Sequence, residues 1–394
     1  MSNIAKAHGM DGTLVEPDWA PLTLDELRRV LMLFPEAGEP IRILSTSPRP
    51  FSAASVLATS SGTFFVKRHH RSLRDVEGLG EEHRFMQHLR KSGAKVPRVL
   101  KACEGGTAVE LGDWTYEVHE KPQGMDLYEE ALSWTPFRAP KHAYSAGQAL
   151  ARLHCAAADF KEPARKARPL IASFSIFAST NPERAMKRYL AARPVLDADD
   201  FTHSGCAAAL DLLAPFHEEL RPLLPALDPI WTHNDLHASN LFWSDATDDA
   251  TATAVIDFGL ADYTNAVHDL AQAIERNIVE WLVLMQHPAA TEVPVHWEHL
   301  YALLDGYESI RPLSEQEAAA LAPMTALCHA EFALTEADYF LSVLHAPKKA
   351  KLASDDYLVG HAQWFRSRAG QVLTDALRQW AAKRALAARE VTKT

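Results

Sequence analysis

From about residue 41 to 120 the apolar positions fall in short runs bounded by turn formers, and beyond that they recur at helical spacing in Ala- and Leu-rich stretches. Ahead of the runs, Thr23-Leu24-Asp25-Glu26 has the form of a capping box and opens a helix through about Leu33. Strands are predicted at 41–45, 54–59 and 63–68, the last two joined through Ser60-Ser61-Gly62, and at 107–111 and 114–120, joined at Gly112-Asp113. One helix, about 75–92 and closed by Gly93, lies between the two hairpins. Leu79, Phe85, Met86 and Leu89 form its apolar stripe, and Glu82 falls on it. A carboxylate on an inward face is costly unless paired, and Lys67, ending the run Thr63-Phe64-Phe65-Val66, is the obvious partner.

The pattern therefore predicts an α+β, two-lobed chain: a mobile lead-in at 1–20, a small antiparallel sheet with one central helix at 21–121, and a larger, mainly helical lobe at 122–394. In that second lobe helices are expected at 141–158, 182–192, 207–223, 267–285, 315–344 and 355–387. No internal repeat is visible. The helices are interrupted once, between Ile230 and Asp262, by a polar stretch with short strands.

The chemistry concentrates in that interruption. Leu241-Phe242-Trp243-Ser244 and Thr253-Ala254-Val255-Ile256 flank a polar turn and make a hairpin, which brings Asn240 beside Asp257. An amide oxygen next to a carboxylate suits Mg²⁺, a hard cation that takes its remaining ligands from water and phosphates. Asp235 would stand across the same space, where it could accept a proton from a hydroxyl attacking a metal-bound phosphate.

Composition narrows the field. At 394 residues the chain exceeds what one core usually holds, and 47% hydrophobic with 23% charged content is ordinary for a globular protein. A net charge of -11 opposes general attraction to nucleic acid or an anionic membrane. The basic run Arg68-His69-His70-Arg71 is short and lacks interleaved aromatics, so it reads as a solvated edge. Cys103, Cys155, Cys206 and Cys328 are far apart and read as reduced thiols. The N-terminus has no signal-peptide core, and the most apolar stretch, 278–285, is interrupted by Glu280 and far short of the ~20 residues that span a bilayer. A cytoplasmic protein is expected. His233 and His237 have zinc-helix spacing, but they lie in a loop without a third ligand. Glu275, Glu280, Glu331, Glu336 and Asp338 read mostly as solvated faces, one or two of which could hold an acceptor's ammonium group. No signal for an oligomeric state is present.

His233-Asn234-Asp235-Leu236-His237-Ala238-Ser239-Asn240, followed by a strand and Asp257-Phe258-Gly259, resembles the aminoglycoside phosphotransferase and choline kinase branch of the protein-kinase-like superfamily. The branch usually has Gly where this chain has Asn234. The resemblance covers about residues 40–345 and implies a kinase that uses ATP and Mg²⁺ on a small-molecule hydroxyl acceptor. It makes Asp235 the catalytic base, Asn240 and Asp257 the metal ligands, and Lys67, aligned by Glu82, the phosphate-gripping lysine. It also implies that the backbone around Glu120 and Lys121 meets adenine and that Asp269 braces the catalytic loop. The loop Ser47-Pro48-Arg49-Pro50-Phe51-Ser52-Ala53 lacks the family's glycine, so the N–H groups of Ser52 and Ala53, or Arg49, would contact phosphate instead. Two other readings compete: a protein Ser/Thr kinase of the bacterial stress-response type, suggested by Glu81-Glu82-His83-Arg84-Phe85, and a silent nucleotide-binding regulator, suggested by the stiff loop.

Overall fold

The computed structural model describes residues 7–8, 14–15, 17–286 and 295–391. Strands β1 (Pro40–Thr46), β2 (Ala53–Thr59), β3 (Gly62–His70), β4 (Ala108–Leu111) and β5 (Trp114–Glu120) form one antiparallel sheet in the order β1-β2-β3-β5-β4. Helix α1 (Leu24–Leu31) begins at Thr23, whose hydroxyl accepts from the Glu26 N–H while the Glu26 carboxylate accepts from the Thr23 N–H. It buries Leu27, Val30 and Leu31 with Leu57, Val66 and Val118 of the sheet. Helix α2 (Val76–Lys91), capped by Asp75, turns Phe85, Met86 and Leu89 the other way, into a core shared with the helical lobe. The central helix thus couples the two lobes, because its apolar stripe is completed by residues of both.

The larger lobe contains α3 (Pro140–Ala157), α4 (Pro182–Ala191), α5 (Asp200–Leu220) and α6 (Ala266–Ile278), and every residue of α6 is buried. Further on come α7 (Trp297–Glu308), α8 (Glu315–Leu327), α9 (His329–Asp338), α10 (Gly360–Arg366) and α11 (Arg368–Val391). Three expectations change. The helix expected at 267–285 stops at Ile278, because Val279 turns extended and bridges Val295; a short helix, Trp281–Gln286, follows. The one expected at 315–344 divides at Cys328 into α8 and α9. Helix α7 was not expected at all.

Of the lead-in at 1–20, residues 1–6, 9–13 and 16 lie outside the described residues. Its last residues are anchored. Trp19 stacks on His70 of the sheet with ring centroids 5.5 Å apart and donates Nε1–H to the Tyr339 hydroxyl at 3.1 Å. Asp18 pairs with Lys349 at 2.5 Å.

The solvated edge expected at 68–71 is half wrong. Arg68 and His69 are buried: Arg68 pairs with Glu26 at 2.7 Å and lies over Trp114, and His69 is bonded to Glu117 at 2.9 Å. Alternation along β3 turns these side chains into the packed faces. Among the described residues no helix is long and apolar enough to cross a membrane.

Candidate active site

Four short strands build the interruption. β6 (Pro229–Thr232) pairs with β9 (Asp262–Asn265), and β7 (Leu241–Trp243) pairs with β8 (Ala252–Val255), both antiparallel. The register opposes Val255 to Leu241, and the Ile256 N–H donates to the Asn240 carbonyl at 2.9 Å. Asn240 and Asp257 therefore stand together at the mouth of the hairpin, as its sequence demands.

Two left-handed residues shape the loops on either side, Asn234 at φ 61° and Asp257 at φ 59°. Asn234 is held at that conformation by its own amide: Oδ1 accepts from the Thr232 hydroxyl at 2.8 Å and Nδ2 donates to the Ala172 carbonyl at 3.0 Å. Asp269, fully buried at the start of α6, accepts from the backbone N–H groups of His233 and Asn234, each at 2.8 Å, and is bonded to His154 at 3.0 Å. Burial acts to raise its pKa, but the His154 contact more than offsets this and keeps the carboxyl below its ordinary range.

Between the lobes lies a cleft with a cavity of about 150 Å³, and Ser52, Lys67, Asp235, Asn240 and Asp257 all line it. Burial raises the Asp235 pKa, opposed by Arg276, whose Nη1 donates to Asp235 Oδ1 at 2.5 Å. Asn240 donates Nδ2–H to the Asp235 carbonyl at 2.9 Å and to Oδ2 at 3.2 Å, which turns its Oδ1 away from Asp235. Lys67 Nζ lies 2.9 Å from Asp257 Oδ1. Burial would push the Asp257 carboxyl up, yet the Lys67 ammonium holds it down at about 2.

The structure does not bring every expected site residue together. Lys67 is paired with Asp257, not Glu82. Glu82 is buried 4.0 Å from Arg165, which arrives from the loop after α3 and also donates to the Gly78 carbonyl of the same helix. Glu82 still favours the charged form of Lys67 from a distance, after Asp257 and Glu117. Ala53 begins β2 behind the cleft wall. The N–H of Glu120 is spent on the Arg98 carbonyl at 2.9 Å and that of Lys121 on the Thr63 carbonyl at 3.1 Å, so neither is free for adenine. Neither residue lines the cavity.

The later acidic residues are a second correction. Glu275, Glu331, Glu336 and Asp338 are buried, because α6 and α9 are enclosed on all sides. Glu331 accepts from the N–H groups of Ser175 and Ile176 at 2.5 Å each, and Glu275 is bonded to His361 at 2.7 Å. Glu336 lines the cleft. Sequence reasoning also missed Arg276 and Glu117. Glu117 stands opposite Lys67 in the sheet and is bonded to His69, His83 and His119 at 2.9, 2.6 and 2.9 Å.

This fold and this cleft are those of a kinase-type phosphotransferase. The chain belongs to the phosphotransferase enzyme family (APH), whose profile matches residues 50–313, and it is an enzyme acting on hydroxyl acceptors. No curated protein matches its sequence. Among solved structures it is similar to the microcompartment-associated aminopropanol kinase, with a TM-score of 0.58 at 19% identity over 88% of this chain and 99% of that one. It is also similar to the amicoumacin kinase hAmiN in complex with AMP-PNP, Ca²⁺ and Ami, with a TM-score of 0.52 at 14% identity over 84% of this chain and 92% of that one. At these identities the likeness is one of fold.

Proposed function

We propose that the chain moves the γ-phosphoryl group of ATP to a hydroxyl of a small molecule, with Asp235 as the base. The observation that carries this reading is the convergence of Lys67, Asp235, Asn240 and Asp257 on one cleft between the lobes. The donor set fits Mg²⁺: Asp257 spends Oδ1 on Lys67 and the Gly259 N–H, leaving Oδ2, and Asn240 leaves Oδ1. Bound Mg²⁺ neutralises charge on the phosphates. Entry of the nucleotide separates the resting pair, so that Lys67 faces phosphate oxygens while Asp257 keeps its negative charge for the metal. Asp235 takes the proton from the acceptor hydroxyl as its oxygen bonds phosphorus and the bond to ADP breaks. Arg276 and Asn240 fix the Asp235 carboxylate in place, so the protein's contribution is placement and charge.

The fold likeness to the aminopropanol kinase, by its name a kinase of an amino alcohol, supports a small acceptor. So does the route of the chain: from Asp257 it passes through β9 into α6 at Ala266, leaving no long segment on which a protein substrate could dock.

The test is phosphoryl transfer from ATP with Mg²⁺ to a panel of hydroxyl compounds, followed by phosphorus NMR. The native enzyme yields a phosphate monoester. Asp235→Ala loses roughly 10²–10⁴ in rate, and Asp257→Ala loses turnover while its melting curve still shows a folded protein. Full turnover by Asp235→Ala removes the base assignment.

A further inference from the structure

Two buried polar atoms in the cleft have no partner among the described residues: Nη2 of Arg276 and Oε2 of Glu336. The residues are 2% and 4% exposed, and both line the cavity beside Asp235. An unpaired buried polar atom is costly, more so when charged, and native folds tolerate few. Of the thirteen such atoms among the described residues, only these two belong to residues that line the cleft.

Their arrangement can be followed along one wall. Arg276 gives Nη1 to Asp235, gives Nε to Gln272 at 3.2 Å, and lays its guanidinium over the Phe332 ring at 4.1 Å. Glu336 follows Phe332 by four residues on α9, hence on the same face one turn along. The wall runs from a carboxylate through a guanidinium edge and an aromatic ring to a second carboxylate. Arg276 and Glu336 do not pair with each other within 4.0 Å; Arg276 is paired with Asp235, and no salt bridge to Glu336 is found among the described residues.

We infer that the acceptor is a hydroxylated α-amino acid: its carboxylate meets Nη2 of Arg276, its ammonium meets Glu336, and its hydroxyl rests on Asp235. This rests on the phosphotransfer reading of Asp235. Phe332, Trp134 and Leu282, which line the same cavity, receive the carbon chain. An amino alcohol leaves the arginine atom orphaned, and a hydroxy acid leaves the glutamate orphaned; the zwitterion satisfies both. Burial pushes the Glu336 carboxyl up to about 8, with Arg276 pulling down and Asp235 pushing up. Near neutral pH the carboxyl is therefore mostly protonated, and an arriving ammonium expels the proton.

The experiment is titration calorimetry of the native protein with AMP-PNP and Mg²⁺, repeated in two buffers of different ionisation enthalpy. The probes are L-serine, L-threonine, L-homoserine and 5-hydroxy-L-lysine, set against ethanolamine, 1-aminopropan-2-ol, 3-aminopropan-1-ol and 1,5-diaminopentan-2-ol, which lack the carboxylate, and 3-hydroxypropanoate, 3-hydroxybutanoate, 4-hydroxybutanoate and 6-amino-5-hydroxyhexanoate, which lack the α-amine. At least one amino acid binds about tenfold or more tighter than both of its truncated counterparts, a difference of about 1.4 kcal/mol or more, with release of a proton. Glu336→Gln abolishes that release, and Arg276→Met brings amino acid and amino alcohol to equal affinity. Equal binding of an amino alcohol and its amino acid by the native protein overturns the inference, as does binding of none of the four amino acids. Phosphorus NMR on the same mixtures separates the two readings. Binding without transfer keeps the zwitterion subsite and removes the phosphotransfer function; transfer only to hydroxyls that are not amino acids does the reverse.

Discussion

Asn234 occupies a position where the resembled branch usually carries glycine, and its φ of 61° gives the reason: asparagine is the side-chain-bearing residue that best tolerates the left-handed region. Its amide adds bonds to Thr232 and Ala172 that glycine cannot make. Asn234→Ala, which keeps neither the conformational tolerance nor the bonds, lowers unfolding free energy by roughly 2–4 kcal/mol in urea titration. Asn234→Gly loses less. At Asp257 the sign of the pH effect follows from Lys67. A carboxyl held at about 2 stabilises the fold in full above the ordinary carboxylate range near pH 4 and loses that contribution as pH falls towards 2. Melting temperature therefore drops more steeply through this window in the native protein than in Asp257→Asn. The residues with motif spacing were legible because one hairpin fixes Asn240 beside Asp257, and Asp235 precedes Asn240 by five residues. Arg276 was not, and Glu336 stood only as one of five acidic candidates: each looks like an exposed helical charge until packing encloses α6 and α9. The pairing of Lys67 failed for a related reason, since Arg165 comes from another lobe and no local pattern announces it.

At the scale of elements, alternation and turn residues located all five strands of the sheet to within a residue or two, and a capping box located α1. Helix breaks were harder to see, because Val279 and Cys328 interrupt apolar stretches without glycine or proline. Helix α7 does carry a signal, the spacing of Leu300, Leu303, Leu304 and Tyr307, all buried. It packs so closely on α3 that a Cβ on Gly306 meets the Tyr144 carbonyl oxygen at 2.0 Å, and one on Gly147 meets the Leu303 carbonyl oxygen at 2.1 Å. Gly306→Ala gains helix propensity of about 1 kcal/mol but forces two backbones apart, so a net loss of about 1–3 kcal/mol is expected in thermal or urea unfolding. The stiff Pro48–Pro50 loop is likewise held from outside. Arg49 Nη1 donates to the Ala131 carbonyl at 3.0 Å and the Ser133 hydroxyl at 3.1 Å, and Phe51 meets the Tyr339 ring edge-on at 5.2 Å. Proline suits a loop that is tied at both ends better than one that must drape.

For the whole molecule, the sheet lobe and the helical lobe were legible from the shift in pattern near residue 121, and the anchoring of the amino-terminal segment to both was not. The amino-terminal segment crosses from His70 and Trp114 on the sheet to Tyr339 and Lys349 on the helical side. Nothing in residues 17–20 distinguishes an anchor from a tail, because the partners on the helical side lie more than three hundred positions away. Trp19→Ala frees the lobes on that side. Dissociation of a fluorescent ADP analogue, followed by stopped flow, is expected to quicken severalfold, while the single-turnover rate with Asp235 intact stays near that of the native enzyme.

The double attachment at Trp19 makes the amino-terminal strap a natural strain gauge. A donor dye on the strap and an acceptor on the outer helices would report each opening and shutting of the jaws in real time. Nucleotide binding could then be watched as motion in a single molecule, before the acceptor is known.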